Sequence, residues 1–319
     1  MPDPTPPATA STDPATPVLI GVDWGGTKIE ISALAPDGSE LVRLRTDTPR
    51  SDYAACLTTI ARLVEEVEAT VGPGLVGVGL PGSLDPRTGV AKGCSSTWLI
   101  GRRPEDDLRT VLARDVRTAN DADCFAASEA HDGAGVGHRV VFAVILGTGA
   151  GAGIAIDGRV HAGPNHSAGE WGHSALPYAH LSEVPGPACY CGRHGCLERW
   201  VSGRGLARDY REHAEIDLVG LPPLSAVDVV RRMRDGERLA RMVFERYLDR
   251  VARGLSQVVN ALDPDVFVLG GGMSNVDELY DELPARIGSY TFSPCFYTPV
   301  VRAAHGDSSG VRGAAWLWR

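Results

Sequence analysis

Two stretches of the chain share one pattern of apolar runs around a glycine loop. In VLIGVDWGGTKIEISAL, residues 18–34, two apolar runs flank Gly25 and Gly26, which predicts two strands joined by a tight loop. VVFAVILGTGAGAGIAIDGRV, residues 140–160, repeats this order around a Gly-Thr-Gly loop and ends at the turn signal Asp157-Gly158. The repeat predicts two lobes that are built alike.

Two other stretches have the pattern of a strand followed by a helix. DVRTANDADCFAASEA predicts a short strand that ends at Ala119 and a helix that begins near Ala122. LDPDVFVLGGGMSNVDELYDELPARI predicts a strand over 266–269, a glycine turn and an amphipathic helix. Ligands favour such crossings, and the bare backbone of Gly271 and Gly272 lets a flat base or ribose lie close. A plain connecting turn explains this stretch equally well.

Length and charge limit the classes of partner. A chain of 319 residues suits two domains of about 100 to 200 residues each. No apolar run approaches the roughly 18 residues that span a bilayer. The net charge of −9 offers no basic face to nucleic acid or to an anionic membrane, so we expect neither as a partner.

The first 17 residues, MPDPTPPATASTDPATP, are rich in Pro, Thr and Ala. They lack the basic start and apolar core of a secretory signal. We therefore expect a disordered tail over 1–17 and a cytoplasmic, reducing location. In that location the seven cysteines argue against a disulfide framework.

The two glycine loops carry polar groups that suit a polyphosphate. Asp23, Thr27 and Lys28 lie beside the first loop, and Thr148 lies in the second. Exposed backbone N–H groups, two hydroxyls and one ammonium can cradle phosphates, while Asp23 can hold a hydrated Mg²⁺. Each loop taken singly is explained by a hairpin turn, and only the pair together favours a phosphate clamp.

The second loop also fits a dinucleotide fingerprint, G-x-G-x-x-A, at Gly147, Gly149 and Ala152, with Glu170 about twenty residues further on. That fingerprint opens a helix, whereas the following IAIDGRV has β-branched residues and a hairpin turn. We therefore expect no Rossmann site, which argues against a dehydrogenase.

The junction at Asn120 and Asp121 holds the candidate catalytic carboxylate. Both residue types are favoured helix N-caps, which is the plain structural explanation. Phosphoryl transfer to an alcohol also needs a carboxylate that orients the hydroxyl and accepts its proton. Two adjacent polar residues can divide these roles, and Asp121 is our candidate base.

Three cysteines, Cys189, Cys191 and Cys196, crowd into ACYCGRHGCLERW. Thiolates at this spacing supply three of the four ligands of a tetrahedral zinc site. The fourth ligand is open by proximity among His166, His173, His180 and His194. A disulfide with one free thiol, or three reduced thiols in a core, are the alternatives. The interleaved Gly192 and Gly195 favour a tight metal-binding knuckle.

Six short motifs follow one another along the chain in this order: DWGGTK, LPGS, ANDADCFAASEA, AGEWGH, CYCGRHGCLE and LGGGMSN. In these the chain resembles the bacterial sugar kinases of the repressor, open reading frame and kinase (ROK) group over nearly all of residues 18–319. Within the group it looks most like the bacterial fructokinases, or mannofructokinases, notably in STWL, CYCGRHGC, LDPDVFVLGGGMSNVD and HGDSSGVRGAAWLW.

The resemblance implies an α/β, two-lobed, actin-like (ribonuclease H-like) fold with a zinc-binding insert. It implies a first lobe over 18–126 plus 305–319, a second lobe over 127–304, and a zinc knuckle over 173–198. It also implies ATP between the lobes, Mg²⁺ on its phosphates, a sugar deep in the cleft and, as a family tendency, a homodimer. The resemblance selects His173 as the fourth ligand of a structural zinc.

These observations and the resemblance together define two candidate sites. The predicted sugar site consists of Gly82, Asn120, Asp121, Glu170, His173 and Glu198. The predicted nucleotide site consists of Asp23, Gly25, Gly26, Thr27, Lys28, Thr148, Gly149, Gly271, Gly272 and Met273. The expected activity is an ATP-dependent hexose 6-kinase, with fructose favoured and mannose, glucose or N-acetylglucosamine as alternatives. A sugar-responsive repressor is disfavoured because seventeen Pro-rich residues leave no room for a DNA-binding helix-turn-helix.

Overall fold

The computed structural model describes residues 17–94, 96–214, 224–293 and 295–319. The tail expected over 1–17 lies outside the described residues, apart from Pro17. The strands are β1 Val18–Trp24, β2 Lys28–Leu34, β3 Glu40–Asp47, β4 Gly74–Leu80, β5 Ser83–Leu84, β6 Ala91–Lys92, β7 Val116–Asn120, β8 Val140–Leu146, β9 Ala150–Ile156, β10 Arg159–Val160, β11 Val266–Gly270 and β12 Val300–Arg302. The helices are α1 Tyr53–Val71, α2 Pro104–Leu112, α3 Asp121–His131, α4 Glu198–Val201, α5 Gly203–His213, α6 Ala226–Arg234, α7 Arg238–Leu262, α8 Glu278–Gly288 and α9 Ser309–Trp316.

Two five-stranded sheets have the same strand order and directions. The first is ordered β3-β2-β1-β4-β7 and the second β10-β9-β8-β11-β12. In each sheet an antiparallel hairpin, β1-β2 or β8-β9, is extended by two parallel strands. The predicted repeat and the two-lobed α/β architecture are therefore confirmed.

Each sheet has its own apolar core. Val22 and Val78 of the first sheet pack with Ile60 of α1, whereas Phe267 of the second sheet packs with Phe244 of α7. All five of these side chains are fully buried. The two lobes therefore have separate apolar cores, and the contacts between the lobes set their relative position.

Helices α3 and α9 lie between the two sheets and touch both each other and the strands. A Cβ atom at Gly313 of α9 would overlap the carbonyl oxygen of Cys124 in α3. A Cβ at Gly21 of β1 would likewise overlap the carbonyl of Val311 in α9. Glycine is required at these positions because the backbones approach closer than any side chain allows.

The C-terminal segment, predicted to return to the first lobe, packs through α9 on β1 and β4. The predicted boundary near residue 126 falls inside α3, which contacts both sheets. The exact division of the chain into lobes stays a prediction. Within the described part of the chain, no helix has both the length and the apolar character needed to cross a bilayer.

We predict that Gly313→Ala destabilises the protein by about 3 kcal/mol or more, because overpacking at a backbone contact forces α3 and α9 apart. Gly151→Ala is the matched control, since a Cβ there meets nothing within 4 Å. Chemical denaturation of both variants gives the comparison. Equal unfolding free energies would show that the helix crossing tolerates a wider spacing.

Candidate functional site

The junction of β7 and α3 separates the two roles expected of Asn120 and Asp121. The Asn120 side-chain oxygen accepts a hydrogen bond from the Asp123 backbone N–H at 2.6 Å, so Asn120 is the N-cap. Among the described residues, the Asp121 carboxylate accepts a side-chain hydrogen bond from the N–H of Ala122, at 2.9 Å, and from no other residue. Asp121 is therefore not needed as the cap and is available for chemistry.

Asp121 lies close to two other carboxylates. Part of the Asp121 residue is accessible to solvent, but many protein atoms crowd around its carboxyl group. The resulting loss of hydration, together with the charge of Glu170, raises the pKa of Asp121 above its usual value. Burial and the charge of Asp121 raise the pKa of Asp23, at the end of β1, to about 6. The first sheet, α3 and the turn at Glu170 thus converge at one acidic centre.

Hydrogen bonds and one close contact hold the first glycine loop in place. The Gly25 N–H donates to the Lys28 carbonyl at 3.0 Å, and the Thr48 hydroxyl donates to the Gly25 carbonyl at 2.7 Å. A Cβ at Gly26 would lie 2.8 Å from the Ser96 hydroxyl oxygen. The exposed Thr27 is left at the tip of the loop.

The ammonium of Lys28 is not free, because it lies 3.4 Å from a carboxylate oxygen of Glu30. Glu30 is 1% exposed and also accepts hydrogen bonds from Arg43 and Arg45, at 3.0 Å and 2.6 Å. Arg43 also pairs with Glu40, and the charges of Lys28 and Arg45 act on Asp23, so nearby carboxylates balance these three cations. A phosphate arriving there would compete with Glu30 for Lys28.

The second and third glycine loops support each other. The Gly147 N–H donates to the Gly149 carbonyl at 2.9 Å, and a Cβ at Gly271 would lie 2.6 Å from the Leu146 carbonyl oxygen. Thr148 is exposed at the tip. Because β9 follows this loop as a strand, the expectation that it is not a Rossmann site is confirmed.

The third loop presents backbone rather than side chains. A Cβ at Gly272 would meet nothing within 4 Å, so open space lies above it. The Met273 side chain is buried in the core of the second lobe. All three residues predicted here for the nucleotide, Gly271, Gly272 and Met273, can therefore offer it only backbone groups.

The cysteine cluster has the dimensions of a zinc site. The ligand atoms of His173, Cys189, Cys191 and Cys196 all lie within 4.8 Å of one another. The Cys191 and Cys196 sulfurs are 3.6 Å apart, and the Cys189 sulfur is 3.6 Å from Nδ1 of His173. Zn–S bonds of about 2.3 Å give a tetrahedral edge of roughly 3.8 Å, so the four residues fit the metal. Of the four candidate histidines, the structure brings His173 to the sulfurs.

An ion cluster fixes the loop that leads into the knuckle. Glu183 accepts hydrogen bonds from Arg250 at 2.8 Å and from Arg253 at 2.9 Å, both on α7. Burial alone would raise the pKa of Glu183, but these two guanidinium groups lower it to about 2. Arg253 also donates to the Tyr178 carbonyl at 3.0 Å. The knuckle is therefore anchored on the long helix of the second lobe.

The sugar-side carboxylates rest on the start of β9. Gly172, in the turn Glu170–His173, leaves no room for a Cβ against the Ala150 carbonyl. A carboxylate oxygen of Glu198 lies 3.4 Å from the Ala150 N–H and beside Gly149. The predicted sugar residues and the second phosphate loop thus share one strand end.

Tyr190 is a site residue that the sequence analysis does not single out. Its hydroxyl lies 2.8 Å from Nε2 of His173, and the two rings meet edge to face at 4.9 Å. The second ring nitrogen of His173, a residue predicted to bind the sugar, is therefore already engaged by Tyr190. With Nδ1 on a metal, Nε2 carries the proton and donates to Tyr190. The signal in the sequence is an aromatic residue between two cysteines of the predicted zinc site, where it is 73% exposed rather than buried in a core.

Gly82 packs against Cys94, and its backbone lines a cavity together with Asn120. These two predicted sugar residues belong to the first lobe. Asp121, Glu170, His173 and Glu198 approach from α3 and the second lobe. The predicted sugar site is therefore assembled from both lobes.

Residues 19–319 match the model of the ROK family. The chain is 38% identical over 302 residues to an N-acetyl-D-glucosamine kinase of Photobacterium profundum. The alignment covers 93% of this chain and 98% of that protein. The chain is 40% identical over 302 residues to an N-acetyl-D-glucosamine kinase of Pectobacterium carotovorum subsp. carotovorum, covering 93% and 97%.

Solved structures share the whole architecture. A ROK hexokinase from Thermus thermophilus matches with a TM-score of 0.81 at 30% identity and covers 94% of this chain and 97% of that one. A ROK family glucokinase from Streptomyces griseus, in complex with glucose and AMPPNP, matches with a TM-score of 0.74 at 27% identity, covering 94% and 98%. The similarity spans both lobes.

We predict one zinc ion per chain, measured by elemental analysis of protein purified without chelators. Cys191→Ser is expected to lose most of the metal because one of the three thiolates is gone. Cys295→Ser is the matched control, since Cys295 is also exposed but lies outside the cluster. Equal zinc content in the two variants, or none in the unmodified protein, would contradict the assignment.

Proposed function

Because the chain belongs to the ROK family, we propose that it is an ATP-dependent sugar kinase that phosphorylates the 6-hydroxyl of N-acetyl-D-glucosamine. The observation that carries this proposal is the near full-length similarity, at 38% and 40% identity, to proteins named N-acetyl-D-glucosamine kinase. The preference for fructose expected from the sequence finds no support among these relatives. N-acetylglucosamine was one of the alternatives, and it now takes first place.

In the proposed reaction the Asp121 carboxylate accepts the proton of the sugar 6-hydroxyl. That oxygen attacks the γ-phosphorus of ATP, and the bond to the β,γ-bridging oxygen breaks to release ADP. The raised pKa of Asp121 makes its carboxylate a stronger base than that of an aspartate with an unshifted pKa. The amide of Asn120 keeps two N–H donors for a neighbouring hydroxyl after its oxygen caps α3.

The nucleotide side of the proposal rests on the glycine loops. The exposed Thr27 and Thr148 offer hydroxyls at the two loop tips, and Gly272 leaves open space above the third loop. Asp23 is a single carboxylate among the described residues of β1, which suits Mg²⁺, an ion held by one or two carboxylates plus phosphates. When bound, Mg²⁺ would neutralise charge that develops on the phosphates.

The zinc proposed for the cysteine cluster would be structural. Three thiolates and one imidazole fill a tetrahedron and leave no open position. Its effect on the sugar would act through His173 and Tyr190, whose positions depend on the knuckle. Glu198 follows the last cysteine by two residues and is fixed with it.

We predict that ADP release from ATP and Mg²⁺ is stimulated most by N-acetyl-D-glucosamine in a panel that includes fructose, mannose and glucose. A coupled ADP assay with kcat/KM for each sugar makes the comparison. A higher kcat/KM for fructose would restore the expectation from the sequence. ADP release that no sugar changes would reject the kinase.

We predict that Asp121→Asn lowers kcat by about 10² to 10⁴-fold without loss of stability. The cap of α3 is Asn120, and removing a poorly hydrated carboxylate near Glu170 relieves repulsion, so the unfolding free energy should not fall. Activity requires ionised Asp121, so kcat/KM of the unmodified enzyme should decline as pH falls through its raised pKa. This decline should begin at a higher pH than it would for an aspartate with the usual pKa of about 4. Turnover near normal in Asp121→Asn would leave Asp121 without a catalytic role.

A further inference from the structure

A cavity between the lobes adjoins the predicted sugar site. Its volume is about 250 Å³, far above the roughly 10 to 15 Å³ that one buried water requires. Gly82 and Asn120, both predicted to bind the sugar, form part of its wall. A sugar held by these two residues would therefore have this space beside it.

Much of the cavity wall is apolar. The apolar side chains that line it are those of Leu80, Leu84, Ala119, Val160, Ala162 and Leu317. The first lobe, the second lobe and the C-terminal segment all contribute to this set. Such a wall suits a small apolar group and gains little from a bare hydroxyl.

One buried acid in the wall has an unmet hydrogen-bonding need. Asp123 is 7% exposed, and its Oδ1 atom has no hydrogen-bond partner among the described residues. The Asp123 backbone N–H is taken by Asn120, but nothing in the described structure donates to the carboxyl. A buried polar atom without a partner costs about 1 to 3 kcal/mol, and the residue that carries it also lines the cavity.

The charges around Asp123 favour its protonated form. Burial, then the negative charges of Asp121 and Glu170, raise the pKa of Asp123 to about 7. Glu105, Arg117 and His166 are the other titratable or charged groups of the cavity wall. Arg117 is turned to the C-terminal segment, donating to the Leu317 carbonyl at 2.6 Å and lying 4.3 Å from the Trp318 ring. Glu105 accepts from the Thr118 hydroxyl and pairs with Arg109.

We propose that this cavity receives the acetamido group of the sugar, with its methyl against the apolar wall and its carbonyl oxygen accepting a hydrogen bond from the Asp123 carboxylic acid. The inference rests on the proposed function and adds the subsite that distinguishes an N-acetylated sugar from glucose. An acetamido group matches the cavity because it joins one methyl to one strong acceptor. Asp123 is then a specificity residue and takes no part in proton transfer from the 6-hydroxyl.

The test measures binding of N-acetyl-D-glucosamine and of glucose by calorimetry at pH 6 and pH 8. Between these values the neutral fraction of a group with a pKa of about 7 falls roughly tenfold. The affinity for N-acetyl-D-glucosamine should fall about tenfold, while that for glucose changes less than about twofold. In Asp123→Asn the amide donates at both pH values, so the difference between the sugars should no longer depend on pH.

A second variant fills the space. Ala162→Phe should weaken N-acetyl-D-glucosamine binding by about tenfold or more and leave glucose binding nearly unchanged, without touching the acid itself. Asp115→Asn, an exposed aspartate ahead of β7, is the control and should behave like the unmodified protein.

The outcomes separate the two proposals. If N-acetyl-D-glucosamine is bound and phosphorylated but the variants and the pH change affect both sugars equally, the subsite is wrong and the proposed function stands. If another hexose is the preferred substrate and N-acetyl-D-glucosamine does not bind, the proposed function fails and the subsite fails with it.

Discussion

The backbone contact between α3 and α9 is the constraint on which the site depends. Gly313 meets the carbonyl of Cys124, and Gly21 meets that of Val311, so the two helices and β1 are held at distances that no side chain permits. Helix α3 begins with Asp121, and β1 ends next to Asp23. The spacing of these two carboxylates is therefore set by main chain rather than by movable side chains. A similar glycine contact, Gly153 against Ala122, ties α3 to the second sheet.

The acidic centre that results lowers the stability of the folded protein when no ligand is bound. Besides burial, the charge of Asp121 raises the pKa values of Asp23 and Asp123, and the charge of Glu170 raises those of Asp121 and Asp123. Lys28 and Arg45 offset this only at Asp23. Carboxylates held together without full hydration favour the unfolded state above their usual pKa. The proposed substrates supply what is missing, since hydroxyl donors and a divalent cation stabilise these groups. The residues that lower the stability of the unliganded protein are thus the residues that the proposed substrates would stabilise on binding.

The sequence predicted the fold and the local motifs better than it predicted the sugar. Strand-loop-strand units appear as alternating patterns, and the spacing of Cys189, Cys191 and Cys196 is local, so both were visible. Tyr190 and Asp123 were missed because their importance depends on neighbours distant in the chain. The four motifs that suggested fructose lie outside the predicted sugar site. LDPDVFVLGGGMSNVD forms β11 and its loop, CYCGRHGC carries the three cysteines of the predicted zinc site, HGDSSGVRGAAWLW packs on the first sheet, and Ser96 of STWL lies beside Gly26. None of the four contains a residue of the predicted sugar site.

The glycine crossing of α3 and α9 also defines where the molecule can bend. Rotation of one lobe against the other must preserve the closest contacts, so its axis passes near Gly313 and Cys124. Points near a pivot move least, while points at the rims sweep the largest arcs. Asp121, at the start of α3, is close to that axis, whereas Thr27 and Thr148 stand at loop tips on opposite lobes. A closing motion about this axis would therefore bring the loops of Thr27 and Thr148 closer together, while the Asp121 carboxylate would hardly move.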